Sequence, residues 1–430
     1  MVELSAEPIS NLYVHVPFCA QKCSYCAFYS EPSRGEVINR YVSALIKEME
    51  IVAGDLRPQT IFFGGGTPSL LNLHQWEQLL QAMERLKLLD ASEWTVECNP
   101  ATVSLDKARL LRSFGVNRIS MGVQSLNEAL LERLGRVHTR EMVFKSFDTL
   151  RQAGFDNLNL DLMFAIPGQS LEVWRETLAE AMAFGSEHLS SYEVIYEEDT
   201  VLYSQLQAGE FDEDEDLACA MYEELVELAG GAGFHQYEIA NFARSVRVDG
   251  KGRAPEHRDH RGQDGGPRAE DGSQNTRSVE QMANGKWQIA EEDIPAFACR
   301  HNVNYWRGGS FYGLGPSATS YVRGVRTKNW SNTQLYCEQL ERGNRAIESR
   351  EKLNRLARAG ETAAFGLRMV AGVPFRAFQN LTGYDLRDEW SSEISQLLRQ
   401  DWGRLTPNAF QLTPRGLRFA DAAAQLFLRP

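Results

Sequence analysis

The 430-residue chain has no apolar run long enough to cross a bilayer, so no transmembrane segment is expected. Its first residues, MVELSAEPISNLYVHVPF, carry neither a basic n-region nor an apolar h-region, so no secretory leader is read and the cytoplasm is the expected address. Basic residues are in deficit. Forty-five Lys and Arg stand against 58 Asp and Glu, a net charge of -13, which argues against a broad grip on phosphate backbones; nucleic acid is not an expected partner. Large apolar residues nearly vanish after Ser245, in SVRVDGKGRAPEHRDHRGQDGGPRAEDGSQNTR, so residues 245–296 are read as a largely flexible insertion and its His257 and His260 as solvated. Cysteine is scarce too. Of seven, Cys98, Cys219, Cys299 and Cys337 are scattered and read as small buried hydrophobes; an odd count in a reducing compartment gives no disulfide framework.

The other three are crowded together. HVPFCAQKCSYCAFYS, residues 15–30, holds Cys19, Cys23 and Cys26 within eight positions, with Phe28 two places after the last. Structural zinc asks for four ligands, and the nearby fourth candidate is His15, which the strand pattern claims. An iron–sulfur cluster on three thiolates would leave one iron open to an exchangeable ligand. On the cysteines alone both chemistries stand.

From Asn11 to about Glu197 a short β-rich run, a polar or glycine turn and a helix-like stretch recur, with the runs NLYVHVPF, TIFFGGGTPS, EWTVECNP, NRISMGVQS, NLNLDLMFAIPG and SSYEVIYEE. This alternation implies an α/β fold with parallel strands joined by crossover helices. One strand face stays polar: Tyr13 and His15 alternate with Leu12, Val14 and Val16, and Ser120, Gly122, Gln124, Asn159 and Asp161 repeat the pattern. A parallel strand covered on both sides is nearly all apolar, so one side is expected to line a cavity holding a polar ligand, as in a partial (β/α) barrel with its site at the C-terminal strand ends. A doubly wound open sheet is the competing architecture. The acidic EFDEDED at 210–216 reads as favourable charge at a helix N-terminus. After Ala346, two helix-like stretches, two short β-like runs and a last helix give a smaller C-terminal α+β unit in winged-helix order; its segment with Glu393 and Gln396 lacks a basic recognition face, so a lid or partner-docking role is expected.

C-x3-C-x2-C after a first strand resembles the radical S-adenosylmethionine (SAM) superfamily. The likeness continues through Gly64, Gly65, Gly66, Thr67 and Pro68 (the superfamily's SAM-binding loop), Glu97 in VECNP, Gln124, Arg136 in LGRVHTR and Asp161 in LDLMFAIPGQ. It implies a [4Fe-4S] cluster on Cys19, Cys23 and Cys26, with SAM on the fourth iron. Arg136 then pairs with the SAM carboxylate, and Glu97 and Asp161 hold amino or ribose groups. Gly65 and Gly66 let the backbone approach, Tyr13 and Tyr25 flank the cluster, and the edge near Ile195 meets the adenine.

YVHVPFC, GGGTPS, DLMFAIPGQ and GFHQYEIANFAR resemble the coproporphyrinogen dehydrogenase-like branch, over residues 11 to 244 and about 297 to 428. Two functional classes share that branch: the oxygen-independent dehydrogenase, which decarboxylates two propionates, and haem chaperones of the HemW type, which bind haem and deliver it to acceptor haemoproteins, membrane-bound respiratory ones among them. Phe28 at the dehydrogenase's last cysteine, the short lead before Tyr13, and His301, Asn302, Tyr305 and Trp306 in the chaperones' H-N-x-x-Y-W signature point to the chaperone. The resemblance makes His301 a candidate axial haem ligand, with Tyr305 and Trp306 against the macrocycle; the plainer alternative is an aromatic turn closing the barrel mouth. The expected units are a 1–244 barrel, the 245–296 insertion, a 297–345 closing segment and a 346–430 C-terminal unit. Two departures stand out: Ala165 replaces a usual glycine, and Gly315, Pro316, Ser317, Ala318, Thr319 and Ser320 stand where the branch reads G-P-G-A-H-S.

Overall fold

The computed structural model describes residues 7–32, 35–246 and 294–430. Most of the 245–296 segment, at 247–293, with His257 and His260, lies outside the described residues.

Nine strands form one open sheet: β1 (Ile9–Val16), β2 (Leu56–Gly65), β3 (Glu93–Cys98), β4 (Arg118–Gln124), β5 (Leu158–Phe164), β6 (His188–Glu193), β7 (His235–Gln236), β8 (Asn241–Ala243) and β9 (Tyr312–Leu314). Their spatial order is β9-β1-β2-β3-β4-β5-β6-β8-β7. Strands β1 to β6 run parallel in sequence order, β9 joins β1 in parallel, and β8 and β7 close the far edge antiparallel. Each of the six sequence-predicted runs contributes one parallel strand, and the partial α/β barrel is the observed architecture. The antiparallel edge was not anticipated, because two- and three-residue strands leave no periodic signal.

The outward faces form the main core. Ile61, Phe63, Val96, Ile119, Leu160 and Leu162 are sealed against side chains of the surrounding helices, among them Tyr41, Leu45, Trp76, Leu79 and Trp174. The Phe63 ring sits 5.3 Å from Trp76 and 6.0 Å from Trp94. Full burial of one such apolar side chain contributes roughly 1.5–3 kcal/mol, so this layer carries the fold. The helices begin where their caps dictate. Asn72 and Gln75 make a reciprocal capping box at Leu73–Arg85. Asp214 caps Glu215–Gly231, so the acidic run acts at a helix N-terminus as expected.

The inward faces are polar. Asn159 Nδ2 donates to Ser120 Oγ and to Asp161, each at 2.7 Å, and Asn159 Oδ1 accepts from His188 Nδ1 at 2.6 Å. Much of this lining is therefore satisfied by itself. Helix Arg300–Trp306, carrying the H-N-x-x-Y-W signature, plugs the end of the barrel where the strands start, not the mouth. The Glu93 carboxylate, at the first residue of β3, accepts from the backbone N–H groups of Arg300 (2.9 Å) and His301 (3.0 Å), occupying donors that a helix start leaves open.

Strands Thr319–Val322, Val325–Asn329 and Ile347–Glu351 form a separate antiparallel sheet, so the chain up to Glu351 sides with the closing segment. From Arg355 the helices enclose their own core around Phe378, Trp390, Phe410 and Phe427, with a three-stranded sheet of Val373–Pro374, Ala409–Leu412 and Gly403–Leu405. Among the described residues no helix is long and apolar enough to cross a membrane.

Candidate functional site

A cavity of about 690 Å³ opens at the C-terminal ends of the strands. Of the residues singled out from sequence, Cys19, Cys23, Cys26, Tyr25, Gly65, Gly66, Thr67, Glu97, Gln124, Arg136, Asp161 and Ile195 all line it. They come from five strand ends and two loops far apart in the chain, so only the fold brings them together.

The cysteine loop is held by the two loops beside it. Gly66 N donates to Val16 O and Thr67 N to Phe18 O, both at 2.8 Å, while Ser24 N donates to Leu134 O at 2.9 Å. The glycines are required by the chain itself. A Cβ on Gly66 would lie 2.7 Å from the carbonyl oxygens of Phe18 and Val16, and one on Gly65, whose φ is +104°, would enter the His15 ring. Gly135 (φ +70°), the glycine of LGRVHTR, has the same duty beside Ser24. Thr67 Oγ1 donates to Cys19 Sγ at 3.7 Å and Arg136 Nη1 to Cys23 Sγ at 3.4 Å, so two of the three thiols already face a donor. All three are half-buried. Burial pushes the Cys26 thiol up from its ordinary value.

These thiols suit a cluster better than a single ion. His15 has no nitrogen to give: its Nε2 donates to Tyr29 O at 2.8 Å, which leaves Nδ1 to accept from the Tyr13 hydroxyl at 3.0 Å. Among the described residues no three His, Cys, Asp or Glu side chains form a group that could hold one metal ion. The thiols share a cavity without converging on a point, as ligands to separate irons would.

Arg136 supplies a second test of fit. Nη2 donates to Gly122 O at 2.7 Å, yet Nε is buried without a partner, and among the described residues no carboxylate pairs with the guanidinium. A buried guanidinium in this state fits a ligand carboxylate. Opposite it, burial and then the neighbouring Asp161 raise the Glu97 carboxyl to about 8, although Gly65 N donates to it at 3.2 Å. Burial also raises Asp161 against its bonds from Ser120 and Asn159. Two carboxyls short of positive charge suit a ligand bringing an ammonium and hydroxyl donors. Gln124 sits at φ +67°, a strained backbone at the edge of the site.

Tyr13 and His301 do not reach this cavity. Tyr13 points to His15 instead of flanking the thiols. His301 is only 1% exposed. Thr60 Oγ1 donates to Asn11 at 2.8 Å, so at 2.8 Å from His301 Nδ1 it receives that ring's N–H; Nε2 then accepts from the Tyr305 hydroxyl at 2.9 Å. Burial lowers this imidazole to about 3. The ring's one lone pair is engaged by the Tyr305 hydroxyl, and the ring stacks on Phe62 with centroids 5.3 Å apart. The cavity's rim is apolar: Phe28 is 70% exposed and Ile195 64%, and beside them lie Val137 and Tyr192, which sequence reasoning did not single out.

Residues 13–181 match the radical SAM superfamily and residues 353–419 the HemN C-terminal domain. The chain is 29% identical over 421 residues to a protein named heme chaperone HemW from Lactococcus lactis, covering 97% of each chain. It is 29% identical to its namesake from Bacillus subtilis, covering 98% of this chain and 99% of that one. The solved coproporphyrinogen III oxidase (HemN) from Escherichia coli, a radical SAM enzyme, superposes with a TM-score of 0.74 over 98% of this chain and 90% of that chain, at 19% identity.

Proposed function

We propose that this chain, whose residues 13–181 match the radical SAM superfamily, is a haem chaperone, which binds a [4Fe-4S] cluster, SAM and haem and delivers haem to acceptor haemoproteins. The radical SAM domain implies the cluster and SAM. The observation that carries the chaperone reading is likeness, nearly end to end, to proteins named heme chaperone. Phe28, exposed on the cavity rim where a dehydrogenase would carry its last cysteine, supports it.

In this reading Cys19, Cys23 and Cys26 hold three irons of the cluster. When bound, the cluster supplies an electron to the SAM sulfonium. Arg136, positioned by Gly122 O and Cys23 Sγ, pairs its charge with the SAM carboxylate. Glu97 and Asp161 orient the ammonium and ribose hydroxyls; a cation against Glu97 lowers its pKa and keeps it ionised. Gln124, Thr67 and Tyr25 fix the walls, and Ile195 packs on the adenine. His301 holds the closed end of the barrel and leaves haem to other residues.

The test is haem titration alongside coproporphyrinogen turnover on one anaerobically reconstituted preparation. Stoichiometric haem binding without turnover supports the chaperone. Turnover at enzymatic rates with no haem binding reverses the assignment in favour of the dehydrogenase.

A further inference from the structure

A second pocket, about 310 Å³, lies at the opposite end of the barrel from the thiols, where β9 starts beside the Thr319–Val322, Val325–Asn329 and Ile347–Glu351 sheet. Its floor is apolar, with Tyr312, Val325 and Ile347, and three guanidiniums stand over it: Arg323, Arg345 and Arg350. The strand register explains the mix. Thr327 pairs with Arg350 across the sheet, so they share this face, whereas Arg326 and Glu351, paired next to them, face the other way.

The two faces treat arginine differently. On the far face Arg326 is answered twice, by Glu351 and by Glu361, both at 2.7 Å. On the pocket face Arg323 alone is answered, by Asp55 at 2.6 Å. For Arg345 and Arg350 no hydrogen bond or ion pair is found among the described residues. Glu48, a carboxylate within the electrostatic reach of Arg345, is buried and already engaged by Gly315 N, Asn329 and Tyr336. Three guanidiniums against Asp55 leave two positive charges over an apolar floor. In a chain with 13 more acidic than basic residues, two uncommitted arginines beside one pocket favour an anion there.

We propose that this pocket seats the propionate edge of haem, Arg345 and Arg350 taking the two carboxylates while Tyr312, Val325 and Ile347 cover the adjoining rim of the macrocycle. The inference rests on the haem chaperone reading and locates its cargo away from both the thiol cavity and His301. A pocket of this size holds one edge and leaves the iron and most of the ring outside. That suits a protein that must release what it carries, since two exposed charge pairs and a partial apolar contact bind reversibly.

Absorbance titrations of the full chain with haem and with haem dimethyl ester, whose propionates are uncharged, test this. Wild-type protein is expected to bind haem about tenfold more tightly than the ester. The Arg345→Gln/Arg350→Gln variant is expected to lose that difference by weakening haem alone, and Arg345→Lys/Arg350→Lys to restore part of it. Equal affinity of wild type for haem and ester, or unchanged haem affinity in the Gln variant, overturns the site and leaves the chaperone reading intact. A wild type that binds neither compound overturns both.

Discussion

The two ends of the barrel are lined with the same kinds of side chain and treat them in opposite ways. At the closed end His301, Thr60, Tyr305 and Glu93 use up one another's donors and acceptors, with the 300–306 helix as the plug. At the open end Arg136 Nε has no partner, two carboxyls are held above their ordinary range and three thiols face a cavity. A satisfied polar network builds the fold, while an unsatisfied one is a binding site awaiting its ligand. Substitutions at the two ends should therefore fail differently.

The largest effect is expected from replacing Cys19, Cys23 or Cys26 by Ala. Bound iron, measured colorimetrically after anaerobic reconstitution, falls to background, while circular dichroism shows the helices intact because the loop lies outside the core. Iron at wild-type content in any of the three would remove that residue from the ligand set. At the closed end His301→Ala does the reverse. It strands the Thr60 and Tyr305 hydroxyls beside a small void, costing about 2–4 kcal/mol in urea unfolding, yet leaves iron content and haem spectra unchanged. A haem Soret band lost in a folded His301→Ala protein would return that histidine to the haem site.

The ends also differ in the sign of their pH response. Glu97 binds its proton more tightly folded than unfolded, so the stability it contributes is complete below about 4.5 and is lost as pH climbs through about 8. Glu97→Gln, which mimics the protonated acid, should melt with the wild type near pH 5 and above it at pH 9 in cluster-free protein; parallel curves would refute the raised carboxyl. His301 runs opposite. Its stability is present above 6.5 and is lost as pH falls through about 3.

The smallest effect concerns two positions where the branch has glycine. Ala165 sits at φ +56° and Ser317 at φ +62°, so each carries left-handed strain that glycine would relieve. Ala165→Gly should gain about 0.5–1 kcal/mol, the relief less the extra freedom of the unfolded chain. A loss of stability would show that the Ala165 methyl packs usefully.

The open end was legible in the sequence because its residues sit at strand ends within short, ordered motifs, and the alternation of Ser120, Gly122 and Gln124 with apolar neighbours revealed the inward face. The closed end was not. H-N-x-x-Y-W names residues that function could have claimed, but which end of the barrel they reach depends on Glu93, some 200 positions earlier, accepting from that helix's first N–H groups. The same polar alternation suggested a ligand throughout the interior, whereas Asn159, Ser120 and His188 meet one another. Periodicity shows which face a side chain takes, and only the assembled fold shows what waits there.

The proposed chemistry turns on an iron left open at the three-thiol loop. Electron paramagnetic resonance of the dithionite-reduced, reconstituted protein, recorded with and without SAM, tests it directly. A [4Fe-4S] signal whose g-values shift on SAM addition, and which is absent in Cys26→Ala, is the expected result. Zinc in place of iron, or a cluster signal indifferent to SAM, would contradict it.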